Sequence, residues 1–236
     1  MKVGTDGVLL GAWAQVMPVE PVAEEAGRVR VLDVGAGCGL ISIMIAQRFP
    51  QTLITALEID DQAALQAAEN IAQSPFAHQV KVKCGDFAAY ESALYDAIVS
   101  NPPFFEEDLL PPDGQRANAR HTVAGLTFET LISRSAQLLR QGGSLHVVIP
   151  KDAQGRFHTI CNANGLVLVH TTDVRTVVRK APKRVLLHFV KATTSAEICG
   201  LYTRREGGVV ERDEIVLMED GKRSEAYSEL CKDFYL

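Results

Sequence analysis

The chain has 236 residues, of which 47% are hydrophobic and 22% charged, with 18 glycines and 10 prolines. This length suits one sizeable domain, and the composition excludes disordered, collagen-like and disulfide-scaffold proteins. Five cysteines without C-x-x-C spacing indicate reduced thiols, and no metal site is expected. The longest nearly unbroken apolar run spans 13 residues, 34–46, and a membrane helix needs roughly 20, so we expect no membrane partner and a cytoplasmic location.

The net charge of −5 conceals an uneven distribution along the chain. Residues 1–115 carry 6 basic and 16 acidic groups, residues 116–191 carry 12 and 3, and residues 192–236 carry 6 and 10. A segment of charge +9 therefore lies between segments of −10 and −4. Such local clustering can attract a phosphate backbone even in an acidic protein, although an ordinary solvated face is the alternative.

Strand and helix patterns alternate along the chain. The apolar periodicity and the Gly and Pro breaks predict helices over 40–48, 61–72, 126–140 and 152–164, and strands over 30–33, 52–58, 80–84, 97–100, 144–149, 166–173 and 184–191. This alternation predicts an α/β fold with a doubly wound, mostly parallel sheet of seven strands. The connection 175–184 is too short for a crossover helix, so the last two strands should form an antiparallel hairpin. We expect one domain over 1–236, with an N-terminal segment 1–27, a core 28–191 and a C-terminal extension 192–236.

A glycine turn follows the first strand, and its spacing indicates the class of cofactor. Asp33, Gly35, Gly37 and Gly39 match the pattern D-x-G-x-G-x-G of methyltransferases, whereas dinucleotide folds use G-x-G-x-x-G to bind pyrophosphate. S-adenosylmethionine has no phosphates, and small residues let the backbone approach its methionine and ribose. The turn predicts this cofactor, with a nicotinamide or flavin fold as the alternative.

Acidic residues follow the next two strands, at the edge of the sheet where ligands bind in open α/β folds. Glu58 ends the second strand and could accept hydrogen bonds from both ribose hydroxyls of the cofactor. Asp86 could accept from the adenine amine, and Phe87 could pack on the adenine ring. A chance acidic residue or a plain strand-ending turn is the alternative at each position.

The fourth strand runs into Asn101, Pro102, Pro103 and Phe104, which resemble the N-P-P-Y/F signature of methyltransferases acting on planar amino nitrogens. The Asn101 side-chain oxygen and the Pro102 carbonyl can accept the two hydrogens of such a nitrogen. Both prolines restrict the loop so that the acceptors are preorganised, and Phe104 offers a face for stacking the target ring. We expect a catalytic site here, with Asn101 also beside the cofactor.

Motifs at both ends and in the middle of the chain resemble one family closely. They are residues 1–13 (MKVGTDGVLLGAW), 101–105 (NPPFF), Arg116 with 119–121 (ARH), 183–186 (KRVL) and 233–236 (DFYL). Together they resemble the bacterial valine-tRNA adenine-N6 methyltransferases. The resemblance implies a Rossmann-like class I methyltransferase domain that methylates adenine 37 of the anticodon loop. It also implies that Thr5 and Asp6 lie beside the methionine end of the cofactor.

We expect a set of basic and aromatic residues to bind tRNA: Phe105, Arg116, Arg120, His121, Arg179, Lys180, Lys183 and Arg184. Cations would steer phosphates and Phe105 would stack on a base. No obligate protein partner is implied. The alternatives are methylation of another planar amino group, in ribosomal RNA or in a protein glutamine, and a noncatalytic RNA-binding module on a methyltransferase fold.

Overall fold

A computed structural model describes residues 4–19, 28–103, 126–192 and 210–234. Strands β1 to β9 span, in order, Val29–Val34, Thr52–Glu58, Val80–Cys84, Tyr95–Ser100, Leu139–Pro150, Leu166–Val177, Arg184–Lys191, Glu211–Glu219 and Lys222–Arg223. Helices α1 to α6 span Thr5–Trp13, Leu40–Arg48, Asp61–Gln73, Phe128–Leu138, Gln154–Ala163 and Glu225–Leu230. Two short 3-10 helices span Phe87–Ala89 and Lys151–Ala153. None of the helices in these ranges is long and apolar enough to cross a bilayer.

Side-chain caps begin three of the helices, as the sequence favours. The Asp60 carboxylate accepts from the Ala63 amide before α3, at 2.8 Å. Thr127 caps α4 in the same way, and Ser224 caps α6. Because the first-turn amides of a helix have no partner within the helix, each cap satisfies a donor that would otherwise need water.

The strands form one sheet in the order β3-β2-β1-β4-β5-β7-β6-β8-β9. Strands β1 to β5 pair in parallel, and β7 runs antiparallel to both β5 and β6. The predicted α/β fold and the antiparallel hairpin are therefore confirmed. The predicted number of seven strands was wrong, because β8 joins the edge of the sheet beside β6 and β9 pairs with β8. The sequence of β8 is rich in charge and half exposed, so it lacks the alternation of a buried strand.

Helices cover both faces of the sheet and create two apolar layers. One layer joins α1, α2, α3 and α6 to alternate strand residues such as Val31 and Val99. The other joins α4 and α5 to their neighbours Leu32 and Ile98, which point to the opposite face. The carboxyl ends of the parallel strands therefore open at one rim between the layers, and we call this rim the carboxyl edge.

Helix α1 packs closely against α2 at Gly11. A Cβ added at Gly11 would lie 2.7 Å from the Met44 sulfur. Arg48 donates from Nη1 to the carbonyls of Gly11 and Ala14, at 3.0 and 2.7 Å, and so caps the carboxyl end of α1. Trp13 Nε1 donates to Thr172 Oγ1 of β6 at 2.9 Å, within the core. The N-terminal segment is thus attached to the body of the fold at several points.

Candidate active site

The glycine loop and the Asn-Pro-Pro motif emerge side by side from adjacent strands. Val34 of β1 pairs with Ser100 of β4, and the Ser100 hydroxyl donates to the Val34 carbonyl at 2.9 Å. Paired strands lie about 4.8 Å apart, so Gly35 and Asn101, the first residues after β1 and β4, begin neighbouring loops. Asn101 is half-buried, Pro102 is buried and Pro103 is exposed. Phe104 and Phe105 lie outside the described residues.

Three left-handed residues shape the glycine loop. Gly35, Gly37 and Gly39 have φ angles of 71°, 57° and 81°, which only glycine adopts without strain. A Cβ at Gly39 would also lie 3.2 Å from Ile71 of α3. The amides of Gly35 and the next residue both donate to the Leu57 carbonyl, at 2.9 and 3.0 Å, which ties the loop to the end of β2. The loop is therefore preorganised by its own backbone.

Glu58 fixes the glycine loop from the end of β2. Its Oε2 accepts from the Gly37 amide at 2.7 Å, and its Oε1 accepts from the amides of Ile59 and Asp60 at 2.9 and 3.0 Å. A carboxylate has about four acceptor positions, so these three bonds leave about one. The remaining position suits one ribose hydroxyl, where the sequence predicted two.

Asp33 lies behind the glycine loop and is fully buried. Its Oδ2 accepts from the Ser42 hydroxyl of α2 at 2.7 Å, while its Oδ1 has no hydrogen-bond partner within the described parts of the chain. Burial raises the pKa of Asp33 to about 7, hydrogen bonds from Ser42 oppose this rise, and the charge of Glu58 adds to it. Asp33 thus ties the loop to α2 and retains an unpaired acceptor beneath it.

The end of β3 differs from the prediction in one residue. Asp86 is exposed, and its Oδ1 accepts from the Ala88 amide at 2.9 Å, which leaves its other oxygen open. Phe87, predicted to stack on an adenine ring, is only 4% exposed and packs in the core, so little of its ring is accessible. Ile59 is 55% exposed directly after Glu58 and offers the apolar surface that Phe87 does not. Its position after the acidic residue was the signal that could have identified it.

The ends of β1, β2 and β3 form one half of the carboxyl edge, which we call the cofactor half. Its described residues fit S-adenosylmethionine. The edge around the loop is acidic, with Glu58, Asp60, Asp61 and Asp86 at the ends of β2 and β3. Such a surrounding repels the phosphates of a dinucleotide and suits a ligand that carries a sulfonium and an ammonium group. The glycine loop and the open acceptor position of Glu58 supply the small and accepting groups that this ligand needs, whereas Asp33, predicted to contact the cofactor, is fully buried and supports the loop from behind.

The opposite half of the same edge is basic. The turn between β6 and β7 carries three exposed cations, Arg179, Lys180 and Lys183, which we call the basic turn. None of the ion pairs formed within the described ranges involves them. Arg184, also predicted to bind RNA, instead pairs with Asp6 of α1 at 2.8 Å. The other predicted RNA contacts, Arg116, Arg120 and His121, lie outside the described residues.

A possible metal-ligand group lies away from the glycine loop. His170 of β6 is paired in register with Glu211 of β8, and Asp213 lies 3.0 Å from His170 Nε2. The ligand atoms of these three residues lie within 4.8 Å of one another, and both carboxylates are exposed. Nothing else in the described structure points to an ion there.

Comparisons with known proteins agree with this geometry. Residues 15–163 match the family model described as the methyltransferase small domain. The chain is 40% identical to a protein of Bacteroides thetaiotaomicron, over 100% of this chain and 91% of that protein. It is 36% identical to a protein of Escherichia coli O157:H7, over 100% of this chain and 89% of that protein. Both relatives are named tRNA1(Val) (adenine(37)-N6)-methyltransferase.

Solved structures support the same fold. A predicted O-methyltransferase from Agrobacterium tumefaciens superposes with a TM-score of 0.68 at 17% identity, over 96% of this chain and 95% of that chain. A putative class I S-adenosylmethionine-dependent methyltransferase from Listeria monocytogenes gives 0.59 at 13% identity, over 97% and 69%. At these identities the likeness concerns the fold alone. From the matched domain and the full-length relatives together, the chain belongs to the methyltransferase small domain family and, within it, to the tRNA1(Val) (adenine(37)-N6)-methyltransferases.

Proposed function

We propose that the chain transfers a methyl group from S-adenosylmethionine to the N6 nitrogen of adenine 37 in tRNA1(Val), in the cytoplasm. The full-length relatives carry this activity in their names. The observation that carries the proposal is the pairing of Val34 with Ser100, because it starts the glycine loop and the amino-acceptor motif at neighbouring points of the carboxyl edge. A methyl donor bound to the glycine loop and a methyl acceptor bound to the Asn-Pro-Pro motif would therefore be neighbours without any large movement of the protein.

The acceptor motif supplies two hydrogen-bond acceptors for the exocyclic amine. The side-chain oxygen of Asn101 and the carbonyl of Pro102 would each accept a hydrogen bond from one N6 hydrogen. These bonds would draw the nitrogen lone pair out of the ring and toward the methyl group. Pro102 is buried and both prolines restrict the backbone, so the acceptors need no reorganisation. When bound, S-adenosylmethionine supplies an electrophilic methyl group on a sulfonium centre.

The charge distribution along the carboxyl edge supports an RNA substrate on one side of this motif. The ends of β2 and β3 are acidic and would repel phosphates, whereas the basic turn lies on the far side of β5. Asn101 follows β4, between the two halves. An RNA that follows the electrostatic gradient would lay its backbone on the basic turn and direct a loop base toward Asn101.

The test is methyl transfer to a defined tRNA. The chain is incubated with methyl-labelled cofactor and an unmodified tRNA1(Val) transcript, and the product is digested to nucleosides. We expect label only in N6-methyladenosine and none with a matched transcript that carries guanine at position 37. Label in both transcripts would contradict the assigned base. Label absent from tRNA but present in ribosomal RNA or protein would contradict the assigned substrate.

A further inference from the structure

An ion pair joins Asp6 of α1 to Arg184 of β7. Arg184 Nε donates to Asp6 Oδ2 at 2.8 Å, and both side chains are about one third exposed. Asp6 was predicted to lie by the cofactor, and Arg184 to bind RNA. A partner 178 positions away along the chain means that the contact exists only in the folded protein.

The Asp6 side of the pair belongs to the cofactor half of the edge. Asp6 lies in the first turn of α1, where a negative charge also interacts favourably with the helix dipole. A Cβ added at the next residue, Gly7, would lie 3.5 Å from the Leu40 side chain, so about one methyl group would fit between that side chain and the α1 backbone. Leu40 is the first residue of α2 and directly follows Gly39 of the glycine loop. The first turn of α1 therefore lies close to the start of α2 and to the end of the glycine loop.

The Arg184 side of the pair belongs to the basic half. Arg184 begins β7 and pairs in register with Pro150 of β5 and Val174 of β6, so its backbone is held from both sides. Its Nη1 donates to the Lys183 carbonyl at 3.2 Å, and that carbonyl also accepts from the Lys151 amide at 3.1 Å. The guanidinium is directed by these bonds toward α1, and the Asp6 carboxylate compensates its charge. It is thus less available to phosphates than the adjacent basic turn.

We propose that Arg184 is a positioning residue for the cofactor rather than an RNA contact. Through Asp6 it holds the first turn of α1 against the start of α2, and so sets the affinity for S-adenosylmethionine. The inference rests on the proposed function only for the identity of that cofactor. An ion pair that is one third exposed contributes modestly, so its loss should weaken cofactor binding roughly two- to fivefold.

A double-mutant cycle tests the proposal without RNA. Cofactor affinity is measured by calorimetry for the wild type, Arg184→Gln, Asp6→Asn and the double variant. We expect Arg184→Gln to weaken binding in the wild type and to have no further effect in the Asp6→Asn background, since Arg184 acts through Asp6. Independent, multiplicative effects would overturn the proposal. If Arg184→Gln does not fold, Arg184→Met replaces it in the same cycle, because it also removes the charge that pairs with Asp6, with the same two outcomes.

Steady-state kinetics with tRNA separate this role from RNA binding. Lys183→Gln is the matched control, because it removes one charge from the adjacent residue of the basic turn. Arg184→Gln should leave the KM for tRNA and its salt dependence close to wild type, whereas Lys183→Gln should raise that KM. If Arg184→Gln raises the KM for tRNA as much as Lys183→Gln does and binds the cofactor normally, Arg184 contacts RNA and the proposal is overturned. A wild type that binds no S-adenosylmethionine would instead contradict the proposed function.

Discussion

Replacing Asp33 by Asn should change how stability depends on pH. Asp33 is enclosed beneath the glycine loop, and burial raises its pKa from 3.8 to about 7. The folded state therefore keeps a proton that the unfolded chain has already lost between about pH 4 and about pH 7. Across this window the free energy of unfolding contributed by Asp33 falls as the pH rises, and the loss is complete above the folded pKa.

The size of the effect follows from the shift. A rise from 3.8 to about 7 is about three units, and at about 1.4 kcal/mol per unit the full change is roughly 4 kcal/mol. The amide that replaces the carboxyl group does not titrate, so Asp33→Asn removes this contribution. Any other cost of the amide side chain is independent of pH. The difference in unfolding free energy, variant minus wild type, should therefore increase by up to about 4 kcal/mol between about pH 4 and about pH 8.

Urea unfolding followed by circular dichroism at a series of pH values measures this difference. Ser42→Ala provides a matched control, because it removes a hydrogen bond that lowers the pKa of Asp33. In that variant the fall in stability should extend to higher pH than in the wild type. Parallel stability curves for the wild type and Asp33→Asn over the whole range would refute the argument.

The remaining predictions concern the two halves of the carboxyl edge. Asn101→Ala should leave cofactor affinity measured by calorimetry close to wild type but lower single-turnover methyl transfer about a hundredfold, since it removes an acceptor preorganised for the transition state; an unchanged rate would contradict that role. Gly37→Val should abolish cofactor binding while circular dichroism stays native, because Gly37 has a φ of 57° and donates to Glu58; retained affinity would contradict the loop assignment. Neutralising the basic turn should weaken tRNA binding and flatten the log-log plot of affinity against salt by roughly one unit per lost phosphate contact. An equal change on neutralising three exposed cations from other parts of the fold, Lys81, Arg156 and Lys232, would mean that the effect is one of net charge alone.

Sequence patterns predicted the sheet because its elements are bounded locally. Glycine turns, prolines and buried apolar runs mark β2, β3, β7 and α2, and each of these has the predicted ends. Helix α1 had no such signal: its sequence, TDGVLLGAW, is apolar on every side and contains two glycines. It is buried on most of its surface between α2, β5 and α6, so distant parts of the chain stabilise it.

The site could be predicted as a set of loops but not as a set of side-chain directions. The order of parallel strands brings Gly35, Glu58 and Asn101 to one edge, and this follows from alternation alone. Whether a side chain then points into the site depends on packing across the sheet. Phe87 packs in the core, and Arg184 pairs with Asp6, which lies 178 positions away along the chain. Neither outcome is encoded in neighbouring residues.

The attachments of α1 have a consequence for biosynthesis. Helix α1 is synthesised long before its partners, because Thr172 and Arg184 follow Trp13 and Asp6 by 159 and 178 positions, and Tyr227 and Cys231 of the same apolar layer come later still. Gln47 at the end of α2 also bonds to the carbonyl of Asp233, at 2.8 Å. Because translation proceeds from the N-terminus, α1 cannot make these contacts until β6, β7 and α6 have left the ribosome. A chain terminated before β6 would contain the residues of the glycine loop but would lack those that anchor α1 beside it.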